Sequence, residues 1–346
     1  MKKLSYAVIG CGEIAYWQAK GIAKTTNSKI TACMDLKKEY AEAFSKSYGC
    51  KRYSEVKEVC ADNSVDAVIV CLPHFLHKSV ALECAAAGKH VVMEKPLATT
   101  LADADEIIKA CKDAGVKLAV PYVNRYLPEV QKAKELLDKG ILGRLVYLHI
   151  QYMSLKPESY WTMGWDKVVT TDWRANKEKS GGGAMLMNCS HYIDYFYYLT
   201  GLRAERIYAE YDTYATKVEV EDLMNMLIRF KGGATGLVQS SSMAPGGLEN
   251  INRIVGTEGQ IMLTNPLKVF VTKDRDGFAA NKWNEVPLEK PNDPAAALRT
   301  KFFELFSDAV LDNKPVPISG EEARVALEVV LKGYEAGEKK IVIELA

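Results

Sequence analysis

The 346-residue chain has no stretch approaching about 18 uninterrupted apolar residues, the length a membrane-crossing helix needs, so no membrane span and no membrane partner are expected. It also lacks a charge excess. Lys and Arg number 45 against 44 Asp and Glu, a formal net charge of +1, and this total implies no basic surface for nucleic acid or anionic lipid. The eight cysteines include no C-x-x-C pair, and none follows Cys189. The five histidines are scattered, so no metal site is expected. Several cysteines fall inside apolar runs, Cys71 in Val68-Ile69-Val70-Cys71-Leu72 among them, and read as small buried hydrophobes in a reducing compartment. The start, Met1-Lys2-Lys3-Leu4, briefly imitates a signal peptide, but its apolar run stops at Gly10. It reads instead as the first strand of a cytoplasmic protein. No internal repeat or low-complexity segment is present.

Hydrophobic residues make up 48% and charged residues 26%, enough apolar material for a core and, at this length, for about two domains. In the first third, apolar runs alternate with helical patterns. Strands are predicted over 6–9, 29–34, 66–72, 90–93 and 116–120, with helices over 14–24, 39–48, 80–87 and 101–114. Continuous apolar strands separated by helices indicate an α/β doubly wound parallel sheet covered on both faces, over residues 1–123. From 124 to 346 the pattern changes. Strand-like runs at 145–152, 205–214, 223–230, 235–241, 251–255, 260–263 and 269–272 are separated in places by Gly-rich turns, which suggests a mostly antiparallel sheet. Helices are predicted over 130–138, 184–200 (with Gly201 as C-cap), 298–310 and 321–336.

Four features carry chemistry. Gly10-Cys11-Gly12-Glu13-Ile14-Ala15 is a G-x-G-x-x-A match between a strand and a helix. The first glycine permits a tight turn, the second lets the backbone approach a pyrophosphate, and the helix N-terminus offers N–H groups to it. Asp35 ends the second strand, where a carboxylate accepts from ribose hydroxyls and repels a 2′-phosphate; this favours NAD. Lys37 and Lys38 beside it keep NADP open, and a helix cap explains Asp35 as well. Glu94-Lys95-Pro96 follows the strand His90-Val91-Val92-Met93, outside the carboxyl end where open α/β sheets place ligands. A partly desolvated lysine there would have a lowered pKa and act as an acid/base, with Glu94 pairing to it or contacting the cofactor; an exposed lysine is the bland alternative. In Gly181-Gly182-Gly183-Ala184-Met185-Leu186-Met187-Asn188-Cys189-Ser190-His191, helical spacing puts Ala184, Asn188, His191 and Tyr195 on one face. Asn188 and His191 then point at one ligand, or His191 is a core histidine bonded to a neighbour such as Asp194.

These motifs resemble the Gfo/Idh/MocA oxidoreductase family. The match runs in order through the G-x-G-x-x-A start, Leu72-Pro73-His74 with His77, Gly88-Lys89-His90-Val91, and Glu94-Lys95-Pro96. It continues with Asn124-Arg125-Tyr126 and Pro128, Gly140-Ile141-Leu142-Gly143, Trp173-Arg174, the triple glycine and His191-Tyr192-Ile193-Asp194. The resemblance implies a Rossmann domain followed by a C-terminal α+β domain with a large, mostly antiparallel open sheet, through which members form homodimers or homotetramers. It implies NAD(P) binding and oxidation or reduction of a secondary alcohol or carbonyl of a sugar or polyol. Lys95 matches the family's catalytic lysine and His191 its catalytic histidine. Gly10, Gly12, Glu13, Ile14, Asp35, Leu72, Pro73, His77, Glu94, Lys95 and Asn124 are the implied cofactor residues. Substrate contacts are expected from Lys95, Tyr122, Arg125, Trp173, Arg174, Asn188 and His191; aromatic faces and bidentate donors suit a sugar. Many members carry an aspartate four residues before the histidine, and here that position is Met187. Methionine accepts no useful hydrogen bond, so proton transfer shifts to Lys95 and His191, with Asn188 a neutral replacement. Two rival expectations keep the fold: redox-neutral glycoside cleavage with bound NAD, and a non-catalytic NAD-binding sensor. Which sugar or polyol is used is expected to depend on the loops of 151–180.

Overall fold

A computed structural model describes residues 3–167, 169–246 and 250–345. Met1 and Lys2 of the signal-like start, and Val168 of the 151–180 loops, lie outside the described residues. Two compact units divide the chain. One comprises Met1–Val123, Pro157–Gly181 and Pro291–Leu327; the other comprises Asn124–Lys156, Gly182–Lys290 and Glu328–Ala346.

The first unit is built on six parallel strands in the order β3-β2-β1-β4-β5-β6. They are β1 (Leu4–Ile9), β2 (Ser28–Met34), β3 (Lys51–Tyr53), β4 (Ala67–Val70), β5 (His90–Met93) and β6 (Leu118–Ala119). The linking helices are α1 (Glu13–Ala23), α2 (Lys38–Tyr48), α3 (Val56–Ala61), α4 (His77–Ala86) and α5 (Leu101–Asp113). All residues of β1 and β4 are buried, as continuous apolar runs in a doubly covered sheet require. Strand order reverses between β1 and β4, which opens a crevice at their carboxyl ends. Strand β3 and helix α3 have only three and six residues, too short to carry a repeating apolar signal, and the sequence did not predict them.

Placing one boundary after residue 123 omits two returns of the chain to this unit. The 157–181 segment brings short helices α7 (Tyr160–Met163) and α8 (Lys177–Ser180), and the third segment brings α10 (Pro294–Leu311). Helix α10 belongs here because its aromatic face packs on β1. The Phe303 ring meets the Tyr6 ring edge-on at 5.6 Å, and Tyr6 Oη lies 2.8 Å from Ser307 Oγ.

The second unit contains α6 (Pro128–Asp138), α9 (Ser190–Thr200) and a nine-stranded sheet. The strands are β7 (Leu145–Met153), β8 (Ala204–Asp212), β9 (Leu223–Phe230), β10 (Thr235–Ser241), β11 (Arg253–Gly256), β12 (Gly259–Met262), β13 (Leu267–Val271), β14 (Trp283–Val286) and β15 (Ile343–Glu344). Their order is β14-β13-β12-β11-β7-β10-β9-β8-β15, antiparallel throughout except for β7 against β10. Alternation places Met224, Met226, Ile228 and Phe230 of β9 inside and leaves Leu227 exposed. Helix α11 (Gly320–Lys339) covers the inner face, where Gly333 lies against the side chains of Met224 and Met226. Among the described residues, no helix is long and apolar enough to cross a membrane.

Candidate active site and cofactor groove

The crevice of the first unit is a groove of about 620 Å³. Gly10, Gly12, Glu13 and Ile14 line it after β1, Asp35 after β2, and Leu72 and Pro73 after β4. Trp173 and Arg174 of the 157–181 segment close its side. Nine of the residues read as cofactor or substrate contacts therefore meet in one place.

The backbone of this groove suits a dinucleotide. Gly10 has φ +89, and a Cβ there would sit 2.5 Å from the carbonyl oxygen of Cys71, so a side chain is excluded twice over. Gly12 caps α1 without a side-chain hydrogen bond to its first N–H groups, which leaves the helix N-terminus for phosphate. Asp35 Oδ2 accepts from Cys11 N–H at 2.8 Å and Oδ1 from Lys37 N–H at 2.8 Å. The carboxylate is thereby held at the end of β2, where a ribose would sit; the cap of α2 is Lys37 instead. The Glu13 carboxylate accepts from Trp165 N–H at 2.9 Å, so its side chain ties down the 157–181 segment. Residues not predicted from sequence also line the groove, namely Leu36, Tyr40, Val56, Leu76 and Val80. Their only signal would have been apolar side chains at strand ends and first helical turns.

Lys95 stands one residue beyond Glu94 at the end of β5, half-buried. Burial pushes its ammonium below the ordinary 10.5; Glu94 opposes this, and the charges of Arg174 and Arg299 add to it. Glu94 faces inward. It is buried, its Oε1 accepts from the Gln18 amide, and its Oε2 lies 3.2 Å from Lys95 N–H. Its carboxylate thus anchors the base of the lysine strap to α1, and it is not among the groove-lining residues. His77, expected at the cofactor, is also absent from the groove lining and fully buried. Its Nδ1 lies 2.9 Å from Pro96 O and its Nε2 3.0 Å from Leu72 O, bracing the loop after β4 against the loop after β5. Burial holds its pKa below 6.5, so the neutral ring donates to one carbonyl at a time. His74, buried beside it, has Nδ1 2.6 Å from Ser180 O and packs against the Trp173 ring at 4.5 Å. The Arg174 guanidinium lies 4.8 Å over the Trp173 ring and 5.5 Å over Tyr160. Tyr122 is fully buried in the same unit.

In the second unit, the predicted helix over 184–200 is two elements. A π-helical turn, Met185–Cys189, runs into α9. Asn188 and His191 are both half-buried on it, Met187 is buried, and Gly201 is the left-handed C-cap. Asn124 opens this unit within a 3-10 turn, Val123–Tyr126. The Asp194 carboxylate, the neighbour considered for His191, is held by Arg125. Arg125 Nε and Nη2 each donate to Asp194 at 2.8 Å, with side chains only 3% and 0% exposed. The same guanidinium lies 5.2 Å from the Tyr198 ring. Arg125 therefore ties its turn to α9, and a substrate-facing fork is not what this arrangement presents. Among the described residues, no group of three or more His, Cys, Asp or Glu side chains is placed to hold a metal.

Residues 4–122 match the family model described as an oxidoreductase family with an NAD-binding Rossmann fold, and residues 130–262 match the GFO/IDH/MocA C-terminal domain. The chain is 28% identical over 336 residues to the myo-inositol 2-dehydrogenase of Thermotoga maritima, spanning 95% of this chain and 94% of that protein. It is 26% identical over 322 residues to the 1,5-anhydro-D-fructose reductase of Ensifer adhaerens, spanning 92% and 91%. Among solved structures it is similar to the WlbA dehydrogenase from Bordetella pertussis in complex with NADH and UDP-GlcNAcA. That similarity has a TM-score of 0.85 and 25% identity over 100% of this chain and 98% of the other.

Proposed function

The chain belongs to the Gfo/Idh/MocA family of oxidoreductases with an NAD-binding Rossmann fold, and from that premise we propose that Lys95 and His191 act as its acid/base pair on a sugar, sugar derivative or polyol. When bound, NAD supplies the hydride acceptor or donor. Gly10, Gly12 and the N-terminus of α1 hold its phosphates, and Asp35 selects the unphosphorylated ribose. The neutral amine of Lys95 takes the hydroxyl proton in alcohol oxidation, and its ammonium returns the proton in carbonyl reduction. His191 shares or relays that proton. Asn188 offers a hydroxyl a neutral partner, since Met187 stands where many members have a carboxylate.

The observation that carries this reading is the position of Lys95. It is a half-buried amine with a depressed pKa, two residues past the end of β5, the neighbour of β4, whose end lines the groove. The relatives named above act, by name, on an inositol and an anhydro-sugar, and the WlbA structure holds a nucleotide sugar. A panel drawn from those three classes, with NAD and NADP in turn, is the direct test. Lys95→Ala is expected to lower kcat by about 10² or more while NADH binding, followed by fluorescence, persists. Wild-type turnover in that variant would sink the assignment. Cleavage of an aryl glycoside without net NADH would favour the redox-neutral alternative, and tight NAD binding without turnover on any substrate would favour a sensor.

A further inference from the structure

The triple glycine ahead of the His191 helix has a partner 38 positions downstream in Glu221. Glu221 is 4% exposed. Its Oε2 accepts from Gly183 N–H at 2.6 Å and its Oε1 from Met185 N–H at 2.9 Å, while its backbone carbonyl accepts from Ala184 N–H at 3.4 Å. One residue thus meets three successive N–H groups at the start of the helical segment, groups that a helix leaves without intrahelical partners. A carboxylate is also the charge favoured at a helix N-terminus. Tyr334 Oη donates to Oε1 at 2.9 Å and fixes the carboxylate from its other side. The fit explains two of the three glycines. A Cβ at Gly183 would lie 2.1 Å from the Glu221 carbonyl oxygen, and one at Gly182 would lie 2.3 Å from Tyr334 Oη.

Immediately after this cap comes the π-helical turn, in which Ser190 N–H reaches back to Met185 O. Met185 is the residue whose own N–H is held by Glu221. Relaxing the wide turn to α-helical geometry would rotate Asn188 and His191 about the helix axis, by as much as one residue's ~100°. We propose that Glu221, supported by Tyr334, is the positioning residue of the proton-transfer helix: its carboxylate pins the wide first turn and so sets the direction of His191. The importance of that direction rests on the role given above to His191.

Glu221→Gln tests this without changing shape. Its amide group would face one N–H with another, so one of the two side-chain bonds to the turn is lost. The variant is expected to bind NADH as the wild type does, because the groove lies in the other unit, while kcat falls about tenfold or more. The imidazole resonance of His191, assigned with His191→Asn in histidine-labelled protein, is expected to move, and its titration midpoint with it. Tyr334→Phe removes a single bond and should shift both readouts in the same direction by less; it carries the test if Glu221→Gln does not fold. Wild-type kcat with an unmoved His191 resonance in these variants would overturn the proposal. Wild-type kcat in His191→Asn would remove the acid/base assignment instead, and the His191 resonance in Glu221→Gln would still decide whether Glu221 positions the ring.

Discussion

Lys95 depends on neighbours that differ in kind. Its depressed pKa comes first from burial, and the positive charges of Arg174 and Arg299 outnumber the one carboxylate, Glu94, that opposes them. The consequence is directional. Alcohol oxidation uses the neutral amine, so its kcat/KM should rise with pH and level off at a midpoint below lysine's ordinary 10.5. Carbonyl reduction uses the ammonium and should fall through the same midpoint. Lys95→Arg should abolish this limb, since a guanidinium stays charged throughout the range. pH–rate profiles in both directions check the sign; a midpoint at or above 10.5 would remove the desolvated-lysine account. The position of Lys95, Gly10 and Asp35 was legible because each sits at a strand end, where sequence spacing alone decides the address. The inward turn of Glu94 and the burial of His77 were not. Gln18 lies 76 positions from Glu94 and Pro96 lies 19 from His77, and a motif carries no information about which way a side chain faces among such partners.

At the scale of elements, the 184–200 segment shows how a periodic pattern misleads by one residue. Its apolar spacing announced a helix, and a helix is present, but the π-helical turn inserts a residue into the repeat. A face drawn at spacings of three and four therefore does not run unbroken from Ala184 to Tyr195. The other tie on this helix is the Arg125–Asp194 pair, desolvated on both sides and bidentate. Removing one member leaves a buried charge without its counterion. Arg125→Met is expected to cost about 3–5 kcal/mol of stability, and adding Asp194→Leu should recover most of it. Denaturant unfolding measures both. A single variant as stable as the wild type would place the pair outside the stabilising framework. Arginine at a family motif position suggested a ligand fork from sequence; only the fold shows the carboxylate that occupies it.

At the scale of the molecule, the nine-stranded sheet buries one face beneath α11 and leaves Leu227 of β9 58% exposed on the other. Assembly through that face, as a homodimer or homotetramer, is the expected state. Leu227→Asp should then shift the protein toward the monomer in sedimentation velocity, and a monomeric wild type would refute the expectation. What the sequence by itself determined is what local periodicity and turn chemistry encode: alternating buried strands and helices over the first 120 residues, a glycine turn that only a close backbone approach explains, an acidic residue one strand later, and antiparallel runs beyond. Tertiary structure alone decided the rest. It returned 157–181 and 291–327 to the first unit, because the aromatic face of α10 finds Tyr6 there and the 157–181 segment is tied to Glu13. It gave Gly182 and Gly183 their reason in Tyr334 and Glu221, residues whose distance along the chain hides a contact shorter than a Cβ would allow.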